Sequence, residues 1–249
     1  ISGLIMNIVA IQEEKSRLEL QIAQISLEMK EDKSKIPEWR KARDKLAMIE
    51  SKEKQVTKQI EKLKDGSLMG KKFRNRTFEA WDISKFPTAY KICYRYAEDF
   101  HSLSRDGRGL ILMGNAGTGK THLASAIANR LLDEMIPVRF GTFVALLDSL
   151  KKAFGSNKDI IANLAEVPLL VIDDLGKEKY TEWASQILFQ VIDQRYNMEA
   201  PIIITTNLTL DEMKKKFGEP ITSRLMEMCY GVAMNGENYR YEKAIQGRR

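Results

Sequence analysis

Cysteine is nearly missing from this chain. Cys93 and Cys229 are the two in 249 residues, far apart and in no metal-ligand spacing. That excludes a disulfide scaffold and a cysteine zinc module, and suits reduced thiols in a cytoplasmic protein. Histidine is equally scarce, and His101 and His122 form no metal pair. No apolar run approaches a membrane span and no signal peptide is legible, so no membrane partner is expected. A strong charge of one sign is lacking too. The net +6 divides into +2 for residues 1–66 and +4 for the rest. Such a spread permits nucleic-acid contact without arguing for it.

What is present is 43% hydrophobic residues, enough for a sizeable core. Residues 1–33 repeat in sevens: Ile1, Leu4, Ile8, Ile11, Lys15, Leu18, Ile22, Ile25 and Met29, with Lys15 the single interruption. After Ser34-Lys35-Ile36-Pro37, where proline suits a first helical turn, a second stripe starts in a new phase. It runs through Trp39, Ala42, Leu46, Ile49, Glu53, Val56, Ile60 and Leu63, and stops at Asp65-Gly66-Ser67. Two such helices predict an antiparallel coiled-coil hairpin over 1–66, each arm roughly 40–45 Å long. Free of a globular partner, it reads as a docking arm, with a structural stalk or a dimerisation zipper as the alternative. Residues 67–89 read as a linker, with a basic run, Lys71-Lys72-Phe73-Arg74-Asn75-Arg76, suited either to phosphate and base contact or to plain solvation. A domain over 90–249 follows. It opens with a helix near 89–103. Strands at 110–113, 138–142, 168–173 and 201–206 then alternate with helices at 121–134, 143–154, 158–165 and 181–198. Apolar strands without alternation imply a parallel sheet covered by helices on both faces.

The chemistry centres on Gly114-Asn115-Ala116-Gly117-Thr118-Gly119-Lys120-Thr121. It fits G-x-x-x-x-G-K-[ST] and lies between an apolar strand and a helix, the setting of a phosphate-binding P-loop. Glycines let backbone N–H groups approach phosphate, and the helix N-terminus adds positive charge. Lys120, on a solvent-facing loop, would reach the β/γ-phosphates of ATP, and Thr121 would bind Mg²⁺. A second apolar strand ends in Asp173-Asp174. At a carboxyl end beside the P-loop, Asp173 would hold the Mg²⁺ shell and Asp174 would orient the attacking water. A third strand ends at Asn207, which suits either water positioning or capping of the next helix.

These segments, with Ile-Thr-Ser-Arg-Leu and Glu-Asn-Tyr-Arg further on, resemble AAA+ ATPases of the DnaC/DnaI helicase-loader type, from about Phe73 onward. The resemblance implies an AAA+ fold, with Gly114–Thr121 and the following His122 at the nucleotide. It makes Asp173-Asp174 Walker B, Asn207 sensor 1, Arg224 an arginine finger and Arg240 a sensor-2-like arginine. It implies a slow ATPase, because Asp174 stands where many relatives carry Glu. It also implies three partners: a hexameric replicative DNA helicase gripped by the hairpin, single-stranded DNA, and further copies of the chain when ATP is bound. Phe143, Lys151, Lys152, Phe154 and Lys158 are the DNA-contact candidates. Two alternatives stay open. One is an IstB-like transposition helper, and the other is a coiled-coil interaction protein with a near-inert ATP site.

Overall fold

A computed structural model describes residues 8–154 and 156–236. The described residues form two compact units, one up to residue 63 with 133–135, the other 64–132 with those from 136 onward.

The first unit is built on helices α1 (Ile8–Glu28) and α2 (Ile36–Gly66). Ile11, Leu18, Ile22 and Ile25 of α1 pack on Ala42, Leu46 and Ile49 of α2, so the heptad positions form the seam. Between the arms, the Asp32 carboxylate accepts from the Ser34 N–H and hydroxyl at 2.9 and 2.8 Å, capping a single 3-10 turn. Pro37 is the second residue of α2, where no intrahelical N–H is required. The interruptions of the two stripes meet each other: Lys15 Nζ lies 2.9 Å from Glu53 Oε2. Gln12 also donates to Glu53, at 3.4 Å, and Trp39 donates to Ser26 at 2.9 Å. These pairings set an antiparallel register. Ile1 and Leu4 lie outside the described residues.

The second unit opens with short α3 (Lys71–Arg74), then α4 (Pro87–Glu98) and α5 (Phe100–Leu103). The helix expected over 89–103 thus breaks at Asp99. The expected strands appear as β1 (Gly109–Met113), β2 (Val138–Gly141), β3 (Leu169–Ile172) and β4 (Ile202–Thr206). A fifth, β5 (Cys229–Ala233), has no clear sequence signal, because only Cys229 and Val232 of its five residues are buried. All pairings are parallel, in the order β2-β3-β4-β1-β5. Helices α6 (Lys120–Asp133), α7 (Phe143–Ala153), α8 (Asn157–Ala165), α9 (Glu182–Asn197), α10 (Leu210–Phe217) and α11 (Glu219–Met228) complete the unit. Buried Leu146 and Leu150 of α7, Leu164 of α8 and Val191 of α9 join Leu170 and Ile202 in one core.

Residues 67–89 pack onto this unit. The Phe140 N–H donates to Ser67 O at 2.8 Å, and Met69 and Phe78 are buried. Their apolar content is hidden in the sequence by interleaved cations. Phe143, expected near DNA, is buried and packs edge-on against Tyr180, because the apolar side of α7 faces the core. Lys151, Lys152, Phe154 and Lys158 are exposed.

Arg195 is fully buried. Its guanidinium donates to the carbonyls of Leu164, Ala165 and Val167 at 2.9 Å each, and to that of Pro201. It therefore closes the open C-terminus of α8 and ties it to the segment entering β4. Burial lowers its pKa to about 9, which still leaves it charged at neutral pH. Arg195→Met should cost at least ~3 kcal/mol, since several buried carbonyls lose their donor together. A lower urea midpoint, followed by circular dichroism, is the measurement.

Candidate nucleotide site

The parallel order puts the carboxyl ends of β1, β3 and β4 at one edge. Ligands collect at such an edge where the strand order reverses. Here a cleft of about 710 Å³ opens, lined by the P-loop with Thr121 and His122, by Asp174, Lys177 and Asn207, and by residues between Asn75 and Phe86.

The loop leaves β1 at Gly114 and enters α6 at Lys120. Gly117 and Gly119 have φ of 86° and 99°, conformations that favour glycine. A Cβ on Gly119 would meet the Trp81 ring at 2.4 Å, so only glycine lets this indole lie on the loop. Lys120 is buried rather than on a solvent-facing loop. Its ammonium donates to Gly114 O and Asn115 O, each at 2.7 Å, and so folds the loop around itself. The Thr118 hydroxyl closes the turn on Asn115 O at 3.0 Å. Ala116 sits on the cleft wall.

Two threonines of β4 hold the acidic loop after β3. Thr205 Oγ1 donates to Asp173 Oδ1 at 2.7 Å and accepts from the Asp174 N–H at 2.8 Å. Thr206 Oγ1 donates to Leu175 O at 2.7 Å. Asp174 has φ of 53°, a left-handed conformation that Asp tolerates better than most residues. Its carboxylate lies 3.2 Å from Lys177 Nζ. Asp173 is buried, and desolvation raises its pKa. Hydrogen bonds from the Thr205 and Thr121 hydroxyls oppose that rise, the nearby Asp174 charge adds to it, and Arg76 works against it. The two candidate Mg²⁺ ligands, Thr121 and Asp173, are therefore already in contact.

Asn207 is exposed at the end of β4 and lines the cleft. It does not cap α10, because Thr209 does so, in a reciprocal capping box with Glu212. His122 lines the cleft beside Trp81. Its Nε2–H donates to Thr77 O at 2.9 Å, and its ring meets Trp81 edge-on at 5.2 Å. Burial lowers its pKa, which leaves it neutral at pH 7. Arg224 stands apart from the cleft. Its guanidinium pairs with Asp193 at 2.8 Å and stacks on Phe189 and Tyr196, each 5.6 Å away. Arg240 lies outside the described residues.

Sequence reasoning passed over Thr205, Thr206 and Trp81, and met Arg76 only as one cation of a run suited to phosphate contact or to solvation. Hydroxyls ending an apolar strand were the available signal for the threonines, and the basic-aromatic run for Arg76. The residues present fit a Mg²⁺-nucleoside triphosphate. The loop is a backbone cradle, the candidate metal ligands are adjacent, and the buried Trp81 N–H in the cleft has no hydrogen-bond partner.

Comparison with known proteins bears on this geometry. The family described as IstB-like ATP binding protein matches residues 17–247. The chain belongs to that family. XkdC of the phage-like element PBSX of Bacillus subtilis is 28% identical over 204 residues, 76% of each chain. The replicative helicase loader DnaC of Escherichia coli is 32% identical over 153 residues, or 59% of this chain and 60% of that one. The crystal structure of the DnaC helicase loader matches with a TM-score of 0.58 at 26% identity, covering 66% of this chain and 99% of the other. AMPPCP-bound DnaA from Aquifex aeolicus shares the fold, with a TM-score of 0.56 at 22% identity over 70% of this chain and 54% of that one. The second unit is thus an AAA+ domain: a five-stranded parallel sheet between helices. Among the described residues no helix is long and apolar enough to cross a membrane.

The raised pKa of Asp173 fixes a sign. A carboxyl that holds its proton more tightly when folded opposes folding at neutral pH, and that penalty fades as pH falls through the folded pKa. Asp173→Asn should therefore stabilise the nucleotide-free protein at pH 7, while Mg²⁺-dependent ATP affinity drops about tenfold or more. Melting curves at pH 7 and 4.5 beside calorimetric titration test both. A variant that is less stable at pH 7 contradicts the argument.

Proposed function

We propose that this chain is an ATP-dependent loader that docks on a hexameric replicative DNA helicase and helps place it on single-stranded DNA. The similarity to the DnaC loader, over 59% of this chain, carries this reading. Lys120, the loop amides and α6 would hold the phosphates. Thr121 and Asp173 would hold Mg²⁺, Asp174 would direct a water, and Asn207 would help place it. Bound ATP with Mg²⁺ supplies the charged terminal phosphate whose presence or loss sets the switch. Arg224, distant from its own cleft, would serve the site of a neighbouring copy. ATP would then favour self-association, completing each site across a subunit boundary. Arg240 would be a sensor-2-like arginine. The Asp174–Lys177 pair supports slow hydrolysis, because the carboxylate that must reach the water is already engaged. Lys151, Lys152, Phe154 and Lys158 remain the candidate contacts for single-stranded DNA, and a cytoplasmic location follows from this role.

A second reading has its own support, since the matching family is described by IstB. An IstB-like helper would assemble the same site on duplex DNA and engage a transposase. Capture from bacterial or phage-infected extract separates the two. Helicase retained by the full chain and lost on removal of residues 1–66 supports the loader and its docking arm. Transposase capture supports the rival, and undiminished helicase capture by the truncated protein overturns the docking arm.

Lys120→Ala should abolish nucleotide binding and loosen the loop whose carbonyls it holds. Arg224→Ala should bind ATP normally but lose hydrolysis and assembly. Fingers of this kind are worth about 10³–10⁵ in fast enzymes, and a smaller loss is expected here. Mixing the two variants should restore part of the ATPase activity. Absence of rescue, with mixed assembly confirmed by cross-linking, would speak for the near-inert site.

A further inference from the structure

The basic run from Lys71 to Arg76 belongs to no nucleotide motif, and the structure divides its residues by role. Lys71 and Lys72 are exposed. Phe73 turns inward, its ring 5.4 Å from that of Phe140. Arg74 reaches back to the Asp65 carboxylate at 2.9 Å and to Lys64 O at 3.2 Å. Arg76 is the cation of this run that lines the cleft with Lys120, Thr121 and Asp174.

Arg76 is held there by the element that carries the P-loop lysine. Asn129 of α6 donates to Phe73 O and Arg76 O, each at 3.0 Å. Arg76 is half-buried, and its guanidinium stacks over the Phe73 ring, 4.9 Å from the centroid. Helix α6 therefore positions Lys120 at its first residue and the backbone of Arg76 further along, so the two cations share one rigid support. Arg76 lines the cleft together with Thr121, one of the two candidate Mg²⁺ ligands. A guanidinium is also well shaped for the task. Its planar fork matches two phosphate oxygens, it never deprotonates at working pH, and it is more weakly hydrated than an ammonium. A polyphosphate that meets a single P-loop lysine retains anionic charge for a second cation to offset.

The geometry points to Arg76 as a second phosphate-binding cation, supplied by the same chain from the segment before α4, which contacts the terminal phosphate and separates ATP from ADP. This rests on the ATP-site reading above.

The test uses the full chain with Arg76→Gln and Arg76→Lys, titrated calorimetrically with ATP and with ADP, each with Mg²⁺. Arg76→Gln should weaken ATP about ten- to hundredfold and ADP by about threefold or less. Arg76→Lys, which keeps the charge but not the fork, should fall between wild type and Gln for ATP. The ATP-to-ADP affinity ratio, which a purely structural role would leave unchanged, separates a ligand contact from a structural one. If the Gln variant fails to fold, the ATP-to-ADP ratio of the Lys variant decides. Equal weakening of both nucleotides overturns the assignment to the terminal phosphate. An indifferent Arg76→Gln beside a wild type that binds normally overturns this proposal alone. A wild type that binds neither nucleotide overturns the ATP site as well.

Discussion

Five parallel strands must all end at one edge, and the rest of the site depends on that constraint. The order β2-β3-β4-β1-β5 sets β4 between β3 and β1. Ile204 pairs with Ile172 on one side and with Ile111 on the other. One residue further along β4, Thr205 meets Asp173. Its hydroxyl accepts a hydrogen bond from the Asp174 N–H and donates one to the Asp173 carboxylate. A buried acid would otherwise face an apolar sheet end, at a cost in desolvation. The crossover thus places an acid beside the P-loop, and one hydroxyl holds it there.

The loop itself shows a second economy of charge. Lys120 is buried because it satisfies the carbonyls of Gly114 and Asn115, so the cation that would meet phosphate also shapes the cradle. Arg195 solves a related problem at another place in the unit, where carbonyls at the end of α8 and before β4 converge on one guanidinium. In both places a buried cation is tolerated because backbone oxygens replace its water. The helical hairpin uses charge differently. Lys15 and Glu53 interrupt two apolar stripes and pair with each other, which gives the seam one preferred register.

Much of this was open to sequence reasoning. Heptad spacing determined the two hairpin arms and their buried positions, because a 3.6-residue helix brings every third and fourth residue to one face. Apolar strands alternating with helical stretches determined a parallel α/β sheet, and the glycine spacing determined the form of the loop after β1. Other features needed the tertiary structure. The weak β5 segment becomes a strand because β1 offers it an open edge. Residues 67–89 look like a linker because cations mask Met69, Phe73 and Phe78, and burial is a property of the packed chain. Phe143 looks available until the core claims its side of α7. Thr205, Trp81, Arg76 and the partners of Arg224 acquire meaning only through neighbours distant in the chain. Local pattern records which backbone a segment prefers; which side chains then meet is decided by strand order and helix packing, and those arise from the whole chain at once.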